Sequence, residues 1–338
     1  MSEAVLVSAA RTAMGKGRKG SLRGVRPDEL AATVLREVVE RTNGLNLEDV
    51  DDVLLGCAMP EGEQGMNVAR IASLLAGLPT STPAATINRF CSSGLQTIAM
   101  AVDAIRSDRA DVIIAGGVES MSRVAMLSRS HANPRFAEDW PEVYLGMGLT
   151  AENLARKYAI TREEADEFSF ESHRKAIAAI EEGRYRDEIV PVHVETRAPD
   201  KDGEIVSRSF DFEVDECPRR DTTLEGLSQL RPVFHARGTV TAGNASQMSD
   251  GAAAVLLVAE ETARALGLKP RAVMRSFAVA GVPPEIMGIG PVEAVPRALA
   301  QAGLSLDDMD VIELNEAFAV QALAVARLLE IPKEKLNP

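Results

Sequence analysis

One eight-residue pattern occurs twice in this chain and restricts its possible folds more than any other feature. Gly44-Leu45-Asn46-Leu47-Glu48-Asp49-Val50-Asp51 returns as Gly303-Leu304-Ser305-Leu306-Asp307-Asp308-Met309-Asp310, with five of the eight positions identical. In both places the segment follows a helical pattern and leads into a strand-like run. Chance similarity of turn residues is the plain alternative; the matching element order favours two related halves, each opening strand–helix–strand. The offset is 259 residues (303 − 44), which carries position 91 to 350, beyond Pro338. The expectation is a duplicated architecture whose second half is incomplete.

Strand-like runs at 4–9, 52–56, 84–87, 111–115 and 252–258 alternate with helical patterns at 27–41, 67–76 and 95–107. That alternation predicts an α/β fold with a mostly parallel sheet. Pro27 opens the first helix and Gly44 follows its end, as start and stop signals require. The stretch 119–248 is richer in charge and carries helical patterns at 150–158 and 162–182, the second opened by Thr161 with Glu164 three residues on. It reads as an insertion between the fourth and fifth strands, and excursions of that length usually carry function. From Leu266 onward the pattern gives a strand at 272–280, a helix at 291–302 and a strand at 310–314. The expected division is therefore 1–118 plus 249–265, an insert at 119–248, and a second half at 266–338.

Composition removes several function classes. A net charge of −13 argues against general nucleic-acid binding. No apolar run is long enough for a membrane span. The first ten residues read as a strand and lack the parts of a signal peptide. Three widely spaced cysteines, Cys57, Cys91 and Cys217, suggest neither a disulfide framework nor a metal site, and fit a reducing cytoplasm. There is no metal-ligand spacing, Walker loop or dinucleotide fingerprint.

The chemistry-bearing candidates are few. In Asn88-Arg89-Phe90-Cys91-Ser92-Ser93-Gly94-Leu95-Gln96 a cysteine falls where a strand turns into a helix. The positive helix end favours thiolate, the attacking form, so Cys91 is a candidate nucleophile. A buried, inert thiol is an equally weighted alternative. Asn315, in Asn315-Glu316-Ala317-Phe318, follows a strand of the second half, where an amide can face an oxyanion or hold a water. It could equally be the N-cap of the next helix. The run 241–251 is small and polar, suited to a slender ligand or to a plain surface loop. Gly116 and Gly117 suit close backbone packing. Pro218-Arg219-Arg220-Asp221 is a basic exception that could meet an anion, although a solvated face is the commoner outcome. None of His131, His173, His193 and His235 stands in a recognisable catalytic context.

Four segments together resemble the thiolase family: Asn88–Gln96, Ala-Gly-Gly-Val-Glu-Ser-Met-Ser at 115–122, Thr-Ala-Gly-Asn-Ala-Ser at 241–246 followed by Ser-Asp-Gly-Ala-Ala at 249–253, and Asn-Glu-Ala-Phe at 315–318. The resemblance runs from Val5 to Pro338. It implies a duplicated five-layer α-β-α-β-α fold with an inserted loop domain, here with an incomplete second half. It implies acyl transfer between a 3-ketoacyl-CoA and coenzyme A through an acyl-Cys91 intermediate. Asn315 would hold a water in one oxyanion hole, and the Cys91 backbone N–H would contribute to another. Coenzyme A would be met by Met147, Arg219, Leu230, Phe234, Ala242 and Ser246, with Phe318 from the second half. Coenzyme A and acyl-CoA would come as substrates, with no permanently bound cofactor and no metal, and the protein would be a homodimer or homotetramer.

Two departures stand out. The family's Gly-His-Pro histidine and Cys-x-Gly-Gly cysteine do not occur in the chain. Gly146 also stands where short-chain biosynthetic members carry a histidine, so the run at 145–148 resembles the degradative members. The expectation is a degradative thiolase. Its alternatives are a biosynthetic acetoacetyl-CoA thiolase, a ketoacyl synthase of the same fold, and, should the protein end at 338, a catalytically impaired coenzyme A-binding relative.

Overall fold

Strand pairing organises the first of two compact units into which the chain divides. A computed structural model describes residues 2–126, 132–199 and 203–338. The first unit comprises 1–128, 183–217 and 247–274, and the second 129–182, 218–246 and 275–338. His131 lies outside the described residues.

The first unit is built on strands β1 (Ala4–Thr12), β2 (Asp52–Gly56), β3 (Ala84–Ile87), β4 (Val112–Ser120), β7 (Ser249–Ala259) and the short β8 (Ala272–Val273). Their order is β8-β1-β7-β4-β2-β3. A separate hairpin joins β5 (Val192–Pro199) to β6 (Ile205–Phe212). Strands β2, β3 and β4 run parallel, as the alternation predicts. Strand β7 runs against both neighbours, β1 and β4, so the sheet is mixed rather than mostly parallel. The physical reason is the return path. The chain leaves β4 at Ser120 and re-enters opposite it at Asp250, the partner of Ser120. A strand that returns at the end where its partner left must run antiparallel, however long the loop between them.

Both faces of this sheet are covered, which explains the unbroken apolar run at the start of β4. Val112, Ile113, Ile114 and Ala115 are all buried. Helices α1 (Pro27–Glu40) and α2 (Val68–Ala76) cover one face. Leu30, Val34, Leu35 and Val38 recur at helical spacing and join Val53, Leu55 and Leu256 in the core. Helix α3 (Ser93–Arg106) covers the other with Ala101, Val102 and Ile105 against Leu54, Ile113 and Leu257.

The two copies of the repeat fold alike. Each begins at a left-handed glycine, Gly44 (φ +87°) and Gly303 (φ +68°). Each continues into a 3₁₀ turn, Leu47–Asp49 or Leu306–Asp308. The Asn46 N–H donates to Asp49 Oδ2 at 2.8 Å, and the Ser305 N–H to Asp308 Oδ2 at 2.8 Å. Their sequels differ. The first copy leads into β2, paired on both sides. The strand expected at 310–314 is reduced to a single parallel bridge, Ile312 to Leu336. The strand expected at 272–280 shrinks to Ala272–Val273, and these two residues pair with β1. A strand exists only through the ladder its neighbour supplies, and the rest of both runs finds no such neighbour among the described residues.

The second unit carries helices α4 (Met147–Lys157), α5 (Arg162–Glu181), α6 (Gly290–Ala302) and α7 (Ala319–Leu328). Ala151, Ala155, Ile160, Ala165, Val320 and Ala324 form its core with Val240. Thr161 and Glu164 close the capping box that the sequence announces, with the Thr161 N–H donating to Glu164 Oε2 at 2.8 Å. No helix among the described residues is long and apolar enough to cross a membrane.

Candidate active site

In the first unit, Cys91 stands on the turn between β3 and α3, beyond the carboxyl ends of three parallel strands. Phe90 precedes it with φ +46°, a left-handed conformation uncommon for a bulky side chain. The turn is held by its own polar groups. The Phe90 N–H donates to Asn88 Oδ1 at 2.8 Å, and the Arg89 N–H to Ser93 Oγ at 2.8 Å. The Ser93 hydroxyl donates in turn to the Phe90 carbonyl at 2.6 Å. Asn88 Nδ2 ties the turn to the Ala58 carbonyl at 3.1 Å. Gly56, at the end of β2, lets α3 start close to the sheet: a Cβ there would lie 2.7 Å from the Ser93 backbone.

Cys91 is exposed, whereas Cys57 is buried and Cys217 half-buried. The buried reading weighed for Cys91 does not hold; burial instead falls on Cys57, whose pKa it raises to about 12 with help from Glu119. The electrostatics of Cys91 differ from expectation. Although the residue is exposed, loss of hydration pushes its thiol up, its own backbone N–H pulls it partly down, and Glu119 pushes it up again. Attack would then need a base to take the proton.

Glu119 was quoted in the sequence only as part of a motif. Its Oε2 accepts the Ala58 N–H at 2.7 Å, and its Oε1 accepts from the buried amide of Gln64. Replacing Glu119 with glutamine removes a negative charge near the sulfur, which lowers the thiol pKa. The iodoacetamide alkylation profile of Cys91 is expected to move to lower pH, with faster labelling at pH 7. An unmoved profile would rule out Glu119 as a control on this thiol.

The Ser-Asp-Gly motif is also explained within this unit. Asp250 is fully buried and accepts the Ser122 N–H at 2.9 Å, the Ser122 hydroxyl, and the Ser120 hydroxyl at 3.2 Å. Two of the four motifs are thereby tied together.

The second unit gathers most of the remaining candidates around the loop 238–246. Residues 244–246 lie antiparallel to 317–319. Ala245 bridges Phe318, the Ser246 N–H donates to the Ala317 carbonyl at 2.9 Å, and the Ala319 N–H to the Asn244 carbonyl at 2.9 Å. The Phe318 ring meets the Phe234 ring edge-on, with centroids 6.1 Å apart. Phe234 rests on Gly148, where a Cβ would come within 2.3 Å of the ring, and Met147 is the first residue of that helix. Leu230 lies against Gly243, next to Ala242. Phe234, Ala242 and Ser246 are exposed, which leaves an accessible, partly apolar surface.

Three polar residues set this loop, and none was singled out from the sequence. Asn244 Oδ1 accepts the Thr241 N–H at 2.8 Å, while its Nδ2 donates to Asp166 Oδ1 at 2.9 Å and to the Thr239 carbonyl at 3.1 Å. Glu152 accepts the N–H groups of Thr239 and Val240 at 2.9 and 3.0 Å. Asp166 also pairs with Arg162 at 2.7 Å.

Asn315 is exposed, and its amide takes no partner among the described residues. It is not a helix cap, because α7 starts at Ala319 with Phe318 in the cap position. Arg219 is exposed; its backbone N–H donates to His173 Nδ1 at 3.3 Å, while Arg220 pairs with Glu181. Burial and the Arg219 charge hold His173 below its ordinary pKa, against the opposing pull of Glu316 and Asp221. Of the other histidines, His193 pairs with Asp211 on the hairpin at 2.8 Å, and His235 Nδ1 accepts the Arg237 N–H at 3.3 Å.

Comparison with known proteins gives the family of the chain. The thiolase N-terminal domain profile matches residues 4–261, and the thiolase C-terminal domain profile matches 268–338. A 3-ketoacyl-CoA thiolase of Bacillus subtilis is 53% identical over 338 residues, covering 100% of this chain and 86% of that protein. An acetyl-CoA acetyltransferase of Pseudomonas aeruginosa is 48% identical over 350 residues, with 100% and 86% covered. The crystal structure of the Bacillus anthracis acetyl-CoA acetyltransferase superposes with a TM-score of 0.89 at 41% identity, covering 100% of this chain and 86% of the other.

Proposed function

The chain belongs to the thiolase family of acyltransferases, and we infer that its reaction is cleavage of 3-ketoacyl-CoA by coenzyme A. The Cys91 thiolate adds to the keto carbonyl carbon of the substrate. The bond between that carbon and the next breaks, and its electron pair leaves as the enolate of acetyl-CoA, which takes up a proton. The acyl group stays on Cys91 as a thioester. The thiolate of a second coenzyme A attacks that thioester, freeing Cys91 and releasing an acyl-CoA shorter by one acetyl unit.

The position of Cys91 carries this reading: an exposed thiol on a strained strand-to-helix turn beyond the strand ends. Cys91 is assigned as nucleophile, with its backbone N–H as an oxyanion donor. Asn315, exposed and without a partner among the described residues, is assigned to hold the water of the other oxyanion site. Met147, Leu230, Phe234, Ala242, Ser246 and Phe318 are assigned to coenzyme A, whose slender pantetheine arm suits a surface of small and aromatic residues. Arg219 is assigned to its phosphates, since an exposed guanidinium with no partner among the described residues is suited to binding them. Coenzyme A enters and leaves as a substrate, and no resident cofactor is invoked. We place the protein in the cytoplasm as a homodimer or homotetramer.

The degradative direction is preferred because several relatives 44% to 53% identical are named 3-ketoacyl-CoA thiolase. The Pseudomonas aeruginosa relative, named for acetyl transfer, favours the biosynthetic acetoacetyl-CoA reaction as the second reading. Thiolysis rates across acyl lengths separate the two. Turnover is expected to extend well beyond four-carbon substrates. A sharp optimum at acetoacetyl-CoA would defeat the degradative assignment.

A further inference from the structure

Asn315 makes no hydrogen bond among the described residues, yet both residues beside it are gripped by one distant side chain. Asn337 Oδ1 accepts the Leu314 N–H at 2.8 Å, and its Nδ2 donates to the Leu314 carbonyl at 2.9 Å. That amide thus pairs with the Leu314 backbone as a neighbouring strand would. The same Nδ2 donates to Glu316 Oε1 at 2.7 Å. The second carboxylate oxygen of Glu316 accepts the Ser172 hydroxyl of α5 at 2.6 Å. Asn337 is fixed in its turn: its N–H donates to the Ile312 carbonyl at 2.9 Å, and Lys175 Nζ donates to its carbonyl at 3.0 Å.

Asn337 also sits at φ +43°. Asparagine and glycine tolerate that left-handed conformation, and most other side chains resist it. The position therefore combines a strained backbone with an amide that satisfies three groups of one short segment. The segment needs such a device because, among the described residues, its ladder is otherwise the single Ile312–Leu336 bridge. Left to itself, 313–316 would be a loop, and an amide on a loose loop is a poor oxyanion partner, since preorganisation supplies most of the effect.

We propose that Asn337, acting with Ser172 through Glu316, is a positioning residue that holds the Leu314 backbone on one side of Asn315 and the Glu316 side chain on the other, and so aims the Asn315 amide. This rests on the role given to Asn315 above.

The test is a double-mutant cycle on thiolysis with Asn315→Ala, Asn337→Gly and the double variant, with iodoacetamide labelling of Cys91 in parallel. Glycine keeps the left-handed backbone and removes only the amide, so strain does not enter. Asn337→Gly is expected to lower kcat by about 10- to 100-fold, the range a misplaced group produces. KM for coenzyme A and the Cys91 labelling rate should stay within about twofold. The double variant should be no slower than Asn315→Ala beyond about twofold, because a residue acting through another has nothing further to lose. Effects that multiply, an unchanged kcat for Asn337→Gly, or labelling that falls in step with kcat would each overturn the proposal. Wild-type turnover in Asn315→Ala would instead defeat the role of Asn315 itself. Should Asn337→Gly fail to fold, Ser172→Ala decides. It removes one anchor of Glu316 from a helical position, with kcat expected to drop by about 3- to 10-fold and again no addition to Asn315→Ala. An unchanged kcat there would equally refute the proposal.

Discussion

Replacing Cys91 with serine is expected to reduce thiolysis by about 10⁴-fold or more, as loss of a covalent nucleophile does elsewhere. The substitution is nearly isosteric. It exchanges a polarisable sulfur for a hydroxyl that is far harder to ionise and a weaker nucleophile toward an acyl carbon. Stability should be little affected, because the side chain is exposed and the turn is held by the side chains of Asn88 and Ser93. Coenzyme A binding should persist, since the residues assigned to it belong to the second unit. Steady-state turnover and a coenzyme A titration by calorimetry check the two halves of the statement. Turnover within tenfold of the parent would remove Cys91 from the mechanism.

Asn244→Ala is expected to be the most damaging change in the second unit. Asn244 is 2% exposed, and its amide answers the Thr241 N–H, the Thr239 carbonyl and the Asp166 carboxylate. Alanine leaves three groups without their partner in a site with little room for water. Buried orphans cost about 1–3 kcal/mol each, so a total loss of about 3 kcal/mol or more is expected. The loop 238–246 would loosen with it, and KM for coenzyme A should rise together with the loss of stability. Chemical denaturation and steady-state kinetics give both readings. A loss below about 1 kcal/mol would show that Glu152 and the backbone ladder to 317–319 hold the loop without Asn244.

The reach of the sequence is clearest at two places. The turn at 88–93 was legible because a strand pattern, a cysteine and a helix pattern follow one another, and local order fixes a strand–turn–helix. The capping boxes at Thr161, Asn46 and Ser305 were legible in the same way or lay within the repeat, since a cap is a bond between residues three apart. The direction of β7 was not, because it depends on where a long excursion brings the chain back. Nor were the partners of Glu119 and Asn244. Both residues stood inside quoted motifs, but their bonds reach Gln64 and Asp166, 55 and 78 residues away. Nothing in the spacing of a single sequence marks such a pair.

The sequence by itself determined the family, the paired repeat turns, the strand–turn–helix that carries Cys91 and the small-residue loop, because each is written in contiguous letters. Tertiary structure alone decided the protonation tendency of Cys91, the mixed sheet and the grip of Asn337 on the residues flanking Asn315. The physical reason is range. Propensity, capping and turn chemistry act over a few residues, whereas desolvation, the field of Glu119 and a hydrogen bond from Asn337 to Glu316 depend on which distant segments the fold places side by side.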